Sequence, residues 1–255
     1  RAQSKLKMLE KEEVQSKLTD ISDLDFDFKY LEYKSKNSLL EVNSLNFGYS
    51  NDNILIKNLS FKINKGDKIC VDGKNGKGKS TLLKLLNNEE KVISGNIVKH
   101  SSVKIGYFGQ MNIERLDKNL SVYEELQKDS NITEETKIRK ICAQVMFSGN
   151  NANKKIKVLS GGERSRVMLG KILLKNVNLL FLDEPTNHLD MESTESLMKA
   201  VQNFQGSVVM VTHDELFLDK IANKLIIYDA QKVYPFLGQY KDFLKKEGWK
   251  EKDYD

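Results

Sequence analysis

Residues 73–80 hold the clearest chemical motif in the chain. They read GKNGKGKS and fit the pattern G-x-x-x-x-G-K-[ST], with an apolar strand before them and a helix after them. The glycines of such a loop let successive backbone N–H groups point at phosphate oxygens, while the lysine reaches the terminal phosphates and the hydroxyl ligates Mg²⁺. The motif therefore predicts an ATPase, a GTPase or a kinase. We expect the phosphates and their Mg²⁺ to lie against Gly73, Asn75, Gly76, Gly78, Lys79, Ser80 and Thr81.

Two carboxylates follow a second apolar strand. The run LLFL at 179–182 ends in Asp183 and Glu184, and the carboxyl end of a parallel strand opens on the ligand crevice of its sheet. Asp183 is placed there to hold Mg²⁺ through water, and Glu184 to act as the general base for the attacking water. The alternative interpretation is a polar turn before Pro185, but the phosphate loop upstream favours the functional one.

The segment Ser160-Gly161-Gly162-Glu163 opens a predicted helix. Its S-x-x-E spacing is that of a capping box, with Ser160 as the N-cap and Glu163 at the third helical position. A cap needs no glycine, however, and two consecutive glycines allow an anion to approach the backbone closely. The sequence thus predicts a second phosphate contact at this helix start, made by Ser160, Gly161, Gly162 and Glu163.

Three further side chains are candidates for the same site. His213 follows the apolar strand 208–211 and is expected to hydrogen-bond the γ-phosphate and the attacking water, although a lone histidine is more often structural. Gln110 also follows a strand, and its amide is expected to reach Mg²⁺ or the water. Tyr49 is expected to stack on adenine, the alternative being an ordinary aromatic residue at a strand end.

Short apolar runs alternate with helical segments along the rest of the chain. This pattern is typical of an α/β fold in which a parallel sheet is covered on both faces. The strands are predicted at 42–49, 54–63, 68–72, 97–108, 177–182, 208–211 and 225–228. The helices are predicted at 79–86, within 119–149, and at 160–175, 193–203 and 215–221, and residues 21–37 are predicted to be a connection that contains a strand.

The composition excludes several classes of protein. The 255 residues carry 41 Lys and Arg against 36 Asp and Glu, and this net charge of +5 permits a nucleic-acid partner without indicating one. No apolar run approaches the ~20 residues that cross a bilayer, and residues 1–20 are too charged for a signal peptide. The two cysteines, Cys70 and Cys142, exclude a disulfide framework and a cysteine-based zinc site and suit a reducing cytosol.

Together these motifs resemble those of the ATP-binding cassette (ABC) family. GKNGKGKS is similar to its Walker A loop, LSGGE at 159–163 to its signature, and LLFLDE at 179–184 to its Walker B strand. Gln110, Tyr49 and His213 resemble its Q-loop, A-loop and H-loop residues. The resemblance implies that the chain binds ATP with Mg²⁺ and hydrolyses the ATP.

The same resemblance, which covers residues 39–230, implies an architecture. The expected fold class is α/β, a P-loop NTPase cassette with a mainly parallel core sheet, an antiparallel β subdomain and a small helical subdomain at about 111–175. The family also implies that two cassettes pair head to tail, so that the Ser160 helix of one cassette closes over the ATP of the other. One isolated cassette is therefore expected to be a weak ATPase.

Several details resemble the ABC-F subfamily. His188-Leu189-Asp190 stands where transporter cassettes usually carry Ala-Leu-Asp, the stretch between 110 and 160 is short, and the ending LGQYKDF at 237–243 is similar. Members of the subfamily are soluble proteins with two cassettes on one chain, a long charged helical linker between them and no membrane domain. They act on ribosomes, so the resemblance implies a cytoplasmic chain that meets a ribosome, with its rRNA and tRNA, through the linker.

The resemblance also implies a domain order. Residues 1–20 are similar to the end of the linker between the cassettes, 21–38 form a connection, and 39–255 are the second cassette of a bacterial member. Because the chain begins at Arg1 without a Met, we expect it to be a fragment cut within that linker.

Two other functions stay open. The ATP-binding subunit of a membrane ABC transporter would need a helical face for the coupling segment of its membrane partner, and the short 110–160 stretch and the His-Leu-Asp tripeptide argue against it. A DNA-repair cassette would carry long coiled-coil arms or zinc-binding cysteines, and neither appears within the cassette sequence.

Overall fold

The computed structural model describes residues 26–50, 53–74, 76–128, 130, 134–187, 189–229 and 232–249. The predicted linker helix at 1–20 lies outside these ranges, as do Asn75 of the phosphate loop and His188 of the His-Leu-Asp tripeptide. In the part of the chain that is described, no helix is both long and apolar enough to cross a membrane.

The strands form two sheets. They are β1 (Leu40–Ser50), β2 (Asn53–Ile63), β3 (Lys68–Gly73), β4 (Ser94–Lys99), β5 (Ile105–Phe108), β6 (Leu179–Asp183), β7 (Ser207–Val211), β8 (Lys224–Tyr228) and β9 (Val233–Leu237). The first sheet is antiparallel with the order β2-β1-β4, and the second has the order β5-β6-β7-β3-β8-β9. The second sheet is parallel apart from the β8–β9 pair, which is antiparallel.

The helices follow the strands of the second sheet, which is the core of the molecule. They are α1 (Lys79–Leu86), α2 (Gln110–Glu114), α3 (Val122–Lys128), α4 (Glu135–Gln144), α5 (Gly161–Leu173), α6 (Met191–Asn203), α7 (Glu215–Ile221) and α8 (Tyr240–Lys246). Between α4 and α5 the chain makes two 3₁₀ turns, Gly149–Asn153 and Ile156–Val158.

Alternate side chains of the core sheet enter two separate apolar clusters. Val71 and Phe181 pack with α1 and the antiparallel sheet, whereas Cys70 and Leu182 pack with α5, α6 and α7 on the opposite face. This alternation follows from the two-residue period of a strand. Because both faces are covered, the parallel strands are built from continuous apolar runs. The predicted α/β fold class is confirmed.

One predicted strand was wrong. Residues 97–108 were expected to form a single strand, but they form the end of β4 and the whole of β5, which belong to different sheets. The chain turns between them, where the Val103 N–H donates to the His100 carbonyl oxygen at 3.0 Å. Two polar residues, Ser101 and Ser102, occupy this turn, and they could have indicated from the sequence that the strand is interrupted.

Four other segments differ from expectation. The described part of the 21–37 connection contains a single β-bridge, Tyr30 to Val177, instead of a strand. The strand β9 was missed, and it carries Pro235, which an edge strand tolerates because one side of it needs no N–H donor. The short helices α2 and α8 were missed as well.

Candidate functional site

Four neighbouring strands of the core sheet end at one edge, and each leads to a predicted site residue. β5 leads to Gln110, β6 to Asp183 and Glu184, β7 to His213, and β3 to the phosphate loop. Since these strands are adjacent and parallel, their carboxyl ends open on a single crevice. The structure thus brings together residues that lie far apart in the sequence.

A cleft of about 810 Å³ runs along this edge. Its volume is in the range of a small-molecule site. It is lined by the predicted residues Tyr49, Gly76, Gly78, Lys79, Ser80, Thr81, Glu184 and His213, and also by Leu55, Thr186, Asn187, Val211 and Asp214, which the sequence analysis did not select. A second cavity of about 160 Å³ shares Ser80 with the cleft and holds Gln110 and Asp183.

The phosphate loop needs its glycines for two different reasons. At Gly73, with φ of +141°, a Cβ atom would lie 2.3 Å from the Tyr228 carbonyl oxygen. Gly78 has φ of +92° and is the N-cap of α1, so the N–H groups of the first turn open on the loop. Lys79 donates from Nζ to the carbonyl oxygens of Gly73 and, at 2.8 Å, of Lys74. Its ammonium group is therefore held over the loop.

Ser80, Asp183 and Gln110 offer oxygen ligands in one place. Ser80 Oγ donates to Asp183 Oδ1 at 2.7 Å, and Gln110 lines the same small cavity while its Nε2 contacts Glu114 Oε1 at 3.3 Å. Hydroxyl, carboxylate and amide oxygens are the ligands that Mg²⁺ takes beside phosphate oxygens, so this donor set fits the ion. Among the described residues, no cluster of three or more His, Cys, Asp and Glu side chains is arranged to hold a metal. Ser80, Asp183 and Gln110 supply fewer than the roughly six ligands that Mg²⁺ takes, so phosphate and water oxygens would complete its coordination.

Glu184 has an unusual backbone conformation. Its φ is +45°, a left-handed value that is uncommon for residues other than glycine. The Glu184 N–H donates to the Val211 carbonyl oxygen at 2.9 Å, and the carboxylate accepts from the backbone N–H of His213. Both bonds tie Glu184 to the end of β7, and they fix its carboxylate at the wall of the cleft.

Three carboxylates lie near the Lys79 ammonium group. Burial raises the pKa of Asp72, Asp183 and Glu184, the last to about 6, and the charge of Lys79 opposes each rise. Burial also lowers the pKa of Lys79 itself. Because several negative charges share a partly dry site, a divalent cation beside the phosphates is electrostatically favoured.

His213 lies between two carboxylates. Its Nδ1 is 3.4 Å from Asp72 Oδ1, and its Nε2 is 3.4 Å from Glu184 Oε1. Burial lowers the pKa of His213, and the charge of Lys79 adds to that effect while Asp72 opposes it. Asp72 was not among the predicted site residues. The sequence could have indicated Asp72, because it is a carboxylate at the end of an apolar strand, as Asp183 is.

Tyr49 presents its ring to the cleft. The side chain is 64% exposed, its hydroxyl is 2.9 Å from Thr81 Oγ1, and its ring meets Phe47 edge to face with centroids 5.3 Å apart. An exposed aromatic face beside the phosphate loop is available for a planar base.

The helix start at Ser160 is not part of this cleft. Ser160 Oγ accepts from the Glu163 N–H at 3.2 Å, and the Glu163 carboxylate accepts from the Ser160 N–H at 2.8 Å, so the capping box is present. The described lining of the cleft includes no residue from Ser160 to Glu163. At Gly161 an added Cβ would meet nothing within 4 Å.

The sequence matches the model of a known protein family. The family model described as "ABC transporter" matches residues 56–187, slightly more than half of the chain. The match includes the phosphate loop, the Ser160 helix and the Asp183–Glu184 strand end.

Curated relatives agree over most of the chain. The sequence is 39% identical over 210 residues to "Probable ATP-binding protein YbiT" of Escherichia coli O157:H7, which covers 82% of this chain and 39% of the relative. It is 36% identical over 248 residues to "ATP-binding cassette sub-family F member 3" of Homo sapiens, which covers 96% of this chain and 35% of the relative. The chain thus spans less than two fifths of the length of these relatives.

Solved structures share the fold. An Atm1-family bacterial ABC exporter with ATP bound has a TM-score of 0.72 and 18% identity, covering 87% of this chain and 42% of that chain. A dimeric ATP-binding cassette bound to ADP and Pi has a TM-score of 0.65 and 21% identity, and the match covers 78% of this chain and 98% of that chain. With the fold, the crevice and the family model in agreement, the chain belongs to the ABC transporter family, as an ATPase domain of the ATP-binding cassette type.

Proposed function

We propose that the chain binds ATP with Mg²⁺ in the cleft at the carboxyl edge of the core sheet and hydrolyses it to ADP and phosphate. The observation that carries this proposal is the convergence of three strand ends on the cleft and on the small cavity that shares Ser80 with it; they bring together Lys79, Ser80, Asp183, Glu184 and His213. Phosphoryl transfer needs little beyond positioned charge and a positioned water, and this set of side chains offers both.

Each side chain has a defined task in this proposal. Lys79 and the N–H groups at the start of α1 bind the β- and γ-phosphates, and the ring of Tyr49 supports adenine. Glu184 accepts a proton from the water that attacks the γ-phosphorus, and a pKa near 6 leaves it ionised at neutral pH yet basic enough for this step. His213 lies beside the γ-phosphate and orients the attacking water through Nε2.

Ser80, Asp183 and Gln110 would hold Mg²⁺ in this site. When bound, the ion supplies positive charge that offsets the negative charge of the phosphates. The Ser80–Asp183 hydrogen bond brings two of the three ligands to one point before any ion arrives.

We infer that a complete site takes two cassettes paired head to tail. Gly161 and Gly162 begin α5 after the Ser160 cap, with open space at Gly161, but they do not line the cleft of their own chain. In the proposed pair, this helix start meets the γ-phosphate held by the partner cassette. ATP then favours closure and hydrolysis favours opening, so the pair acts as a switch.

The paired arrangement has a direct test. If two copies must meet, ATP turnover per molecule rises with protein concentration, and an isolated cassette is a weak ATPase. Phosphate release measured over a wide concentration range checks this expectation. A full rate that does not depend on concentration, from a protein that sediments as a monomer, contradicts it.

We further propose that the chain is the second cassette of a bacterial ABC-F protein. Residues 1–20 would be the end of the linker, 21–38 a connection and 39–255 the cassette, with a helical subdomain at about 111–175. The sub-family F relative at 36% identity supports this assignment, and so does the length of the relatives, which leaves room for another cassette.

In this proposal, ATP-driven closure is coupled to the ribosome in the cytoplasm, with contacts to rRNA and tRNA made through the linker. The test is co-sedimentation of the full-length protein carrying Glu184→Gln with ribosomes, with and without ATP. We expect ATP to increase the ribosome-bound fraction, and salt to weaken binding steeply if phosphate contacts carry it. No shift with ATP contradicts the ribosomal role while leaving ATP hydrolysis intact as a separate question.

The second candidate is the ATP-binding subunit of a membrane transporter, which the description of the matching family model favours. The full-length gene separates the two. A second phosphate loop encoded upstream of Arg1 supports the ABC-F assignment, and a neighbouring gene for a membrane-spanning partner supports the transporter.

A further inference from the structure

We propose that Asp72 is a positioning residue for hydrolysis: its carboxylate accepts the Nδ1–H of His213 and so turns Nε2 toward Glu184 and the attacking water. The kinetic part of this inference rests on the proposed ATPase function. Its structural part, the protonation pattern of the ring, does not.

Asp72 is itself fixed in place. It lies next to the last residue of β3, its exposure is 5%, and its Oδ1 accepts the N–H of Gly73 at 2.7 Å. The same oxygen is 3.4 Å from His213 Nδ1. Because the backbone holds the acceptor, the acceptor in turn holds the ring.

The contact decides which nitrogen carries the proton. A neutral imidazole has one N–H, and each ring nitrogen of His213 faces a carboxylate oxygen at 3.4 Å. The proton is assigned to Nδ1 because the Asp72 side chain is 7% exposed and needs a donor from the protein, whereas that of Glu184 is 23% exposed and can bond water in the cleft. Nε2 then keeps a lone pair on the wall of the cleft, where it accepts a hydrogen bond from the attacking water beside Glu184. The His213 side chain is 39% exposed, so burial alone does not hold the ring.

A different role for Asp72 would be to shape the phosphate loop through Gly73. That role predicts weaker ATP binding whether or not residue 213 is a histidine. The positioning role predicts a lower kcat with KM retained, and it predicts that the loss disappears when His213 is absent, because two mutations that act through one group are not additive.

The experiment compares Asp72→Ala and Asp72→Asn, each alone and combined with His213→Ala. Asp72→Ala is expected to lower kcat about tenfold with KM changed by less than about twofold, and to have no further effect beside His213→Ala. Asp72→Asn keeps an oxygen that accepts both hydrogen bonds, so it is expected to restore most of kcat. An equal loss of kcat in the His213→Ala background overturns the proposal.

The ring itself gives a readout that does not need turnover. The chain has three histidines, and His213→Ala identifies the ring ¹⁵N signals of His213 at pH 8. We expect Nδ1 to carry the proton in the unmodified protein and in Asp72→Asn, and the proton to move to Nε2 in Asp72→Ala. A proton on Nε2 in the unmodified protein overturns the proposal by itself. If Asp72→Ala fails to fold, Asp72→Val removes the acceptor while filling the buried position.

These two readouts separate the possible failures. If the protein does not hydrolyse ATP, the proposed function fails while the ¹⁵N signals still decide whether Asp72 sets the proton on His213. If hydrolysis occurs and the proton stays on the same ring nitrogen of His213 when Asp72 is replaced, only the positioning role fails.

Discussion

Ser80 and Asp183 lie 103 positions apart in the chain and meet through a hydrogen bond of 2.7 Å. Ser80 belongs to the first turn of α1, and Asp183 is the last residue of β6. The strand β7 lies between β3 and β6 in the sheet, so the contact is made because α1 packs across β3, β7 and β6. One helix thereby joins the phosphate loop to the carboxylates of a strand that is not its neighbour.

Glu184→Gln is expected to lower ATP turnover at least about tenfold, roughly 1.4 kcal/mol in the barrier, while ATP binding is kept. Glutamine has the shape of glutamate but accepts no proton from the attacking water. Phosphate release and equilibrium binding of a fluorescent ATP analogue measure the two effects separately.

The matched control for that substitution is Glu195→Gln. Glu195 is exposed on α6 and pairs with Lys199 on the surface, so its removal should leave turnover unchanged. Equal ATP turnover by Glu184→Gln and the unmodified protein would show that Glu184 is not the general base.

Glu184→Gln should also stabilise the fold at high pH. Burial raises the folded pKa of Glu184 above its ordinary value of 4.5 to about 6, so any stability this group gives is present below 4.5 and is lost as pH rises through 6. The neutral amide avoids that loss. The variant should therefore gain at most about 2 kcal/mol over the unmodified protein at pH 8.

Denaturant unfolding without nucleotide and Mg²⁺ checks this expectation, because either ligand would stabilise the folded state by binding. The advantage of the variant should grow between pH 4.5 and about 6 and then level off. An advantage that is the same at every pH would mean that ionisation of Glu184 is not its cause.

Lys79→Ala is expected to weaken ATP binding at least about tenfold, since it removes the ammonium group held over the phosphate loop. Lys77→Ala is the matched control, because Lys77 is an exposed lysine of the same loop whereas Lys79 is buried. Titration with a fluorescent ATP analogue distinguishes them. Similar losses for both would show that the loop binds phosphate through its overall charge and not through Lys79.

Ser160→Ala and Ser160→Asp separate two roles of the Ser160 helix start. Alanine removes the N-cap hydrogen bond and should cost about 1 kcal/mol of stability, whereas aspartate is a good N-cap and should retain it. Aspartate also adds a negative charge where the partner's γ-phosphate is proposed to bind.

Ser160→Asp should therefore keep its melting temperature and ATP affinity but lose the turnover that rises with concentration. Thermal unfolding, ATP titration and phosphate release give the three values. Full turnover in Ser160→Asp would place the helix start outside the working site.

Much of the site could be predicted from the sequence because its parts are local. The phosphate loop, the carboxylates after an apolar strand and the capping box each lie within eight or fewer consecutive residues. The role of Asp72 could not be predicted in this way. It depends on β3 and β7 being neighbours in the sheet, and strand order is a property of the whole fold.

The sequence also could not show that the Ser160 helix start does not line the cleft, because this too depends on the whole fold. The motif predicts an anion contact from its own residues, but not which anion, since that depends on where α5 lies relative to the core sheet. The split of residues 97–108 into two strands is a different case. Ser101 and Ser102 mark the turn in the sequence, but the assignment of the two strands to different sheets follows from the packing of the whole fold.

The pairing of β3 affects the order in which the parts of the protein fold. Lys68 pairs with Val208 and Ile69 with Lys224, so the strand that carries the phosphate loop bonds only to segments near the other end of the chain. The hairpin β1–β2 is local and can form early, but β3 must wait through synthesis until its neighbours emerge. An incomplete nascent chain therefore presents the phosphate-loop sequence without a nucleotide site. The protein would therefore begin to bind ATP only when the core sheet is complete.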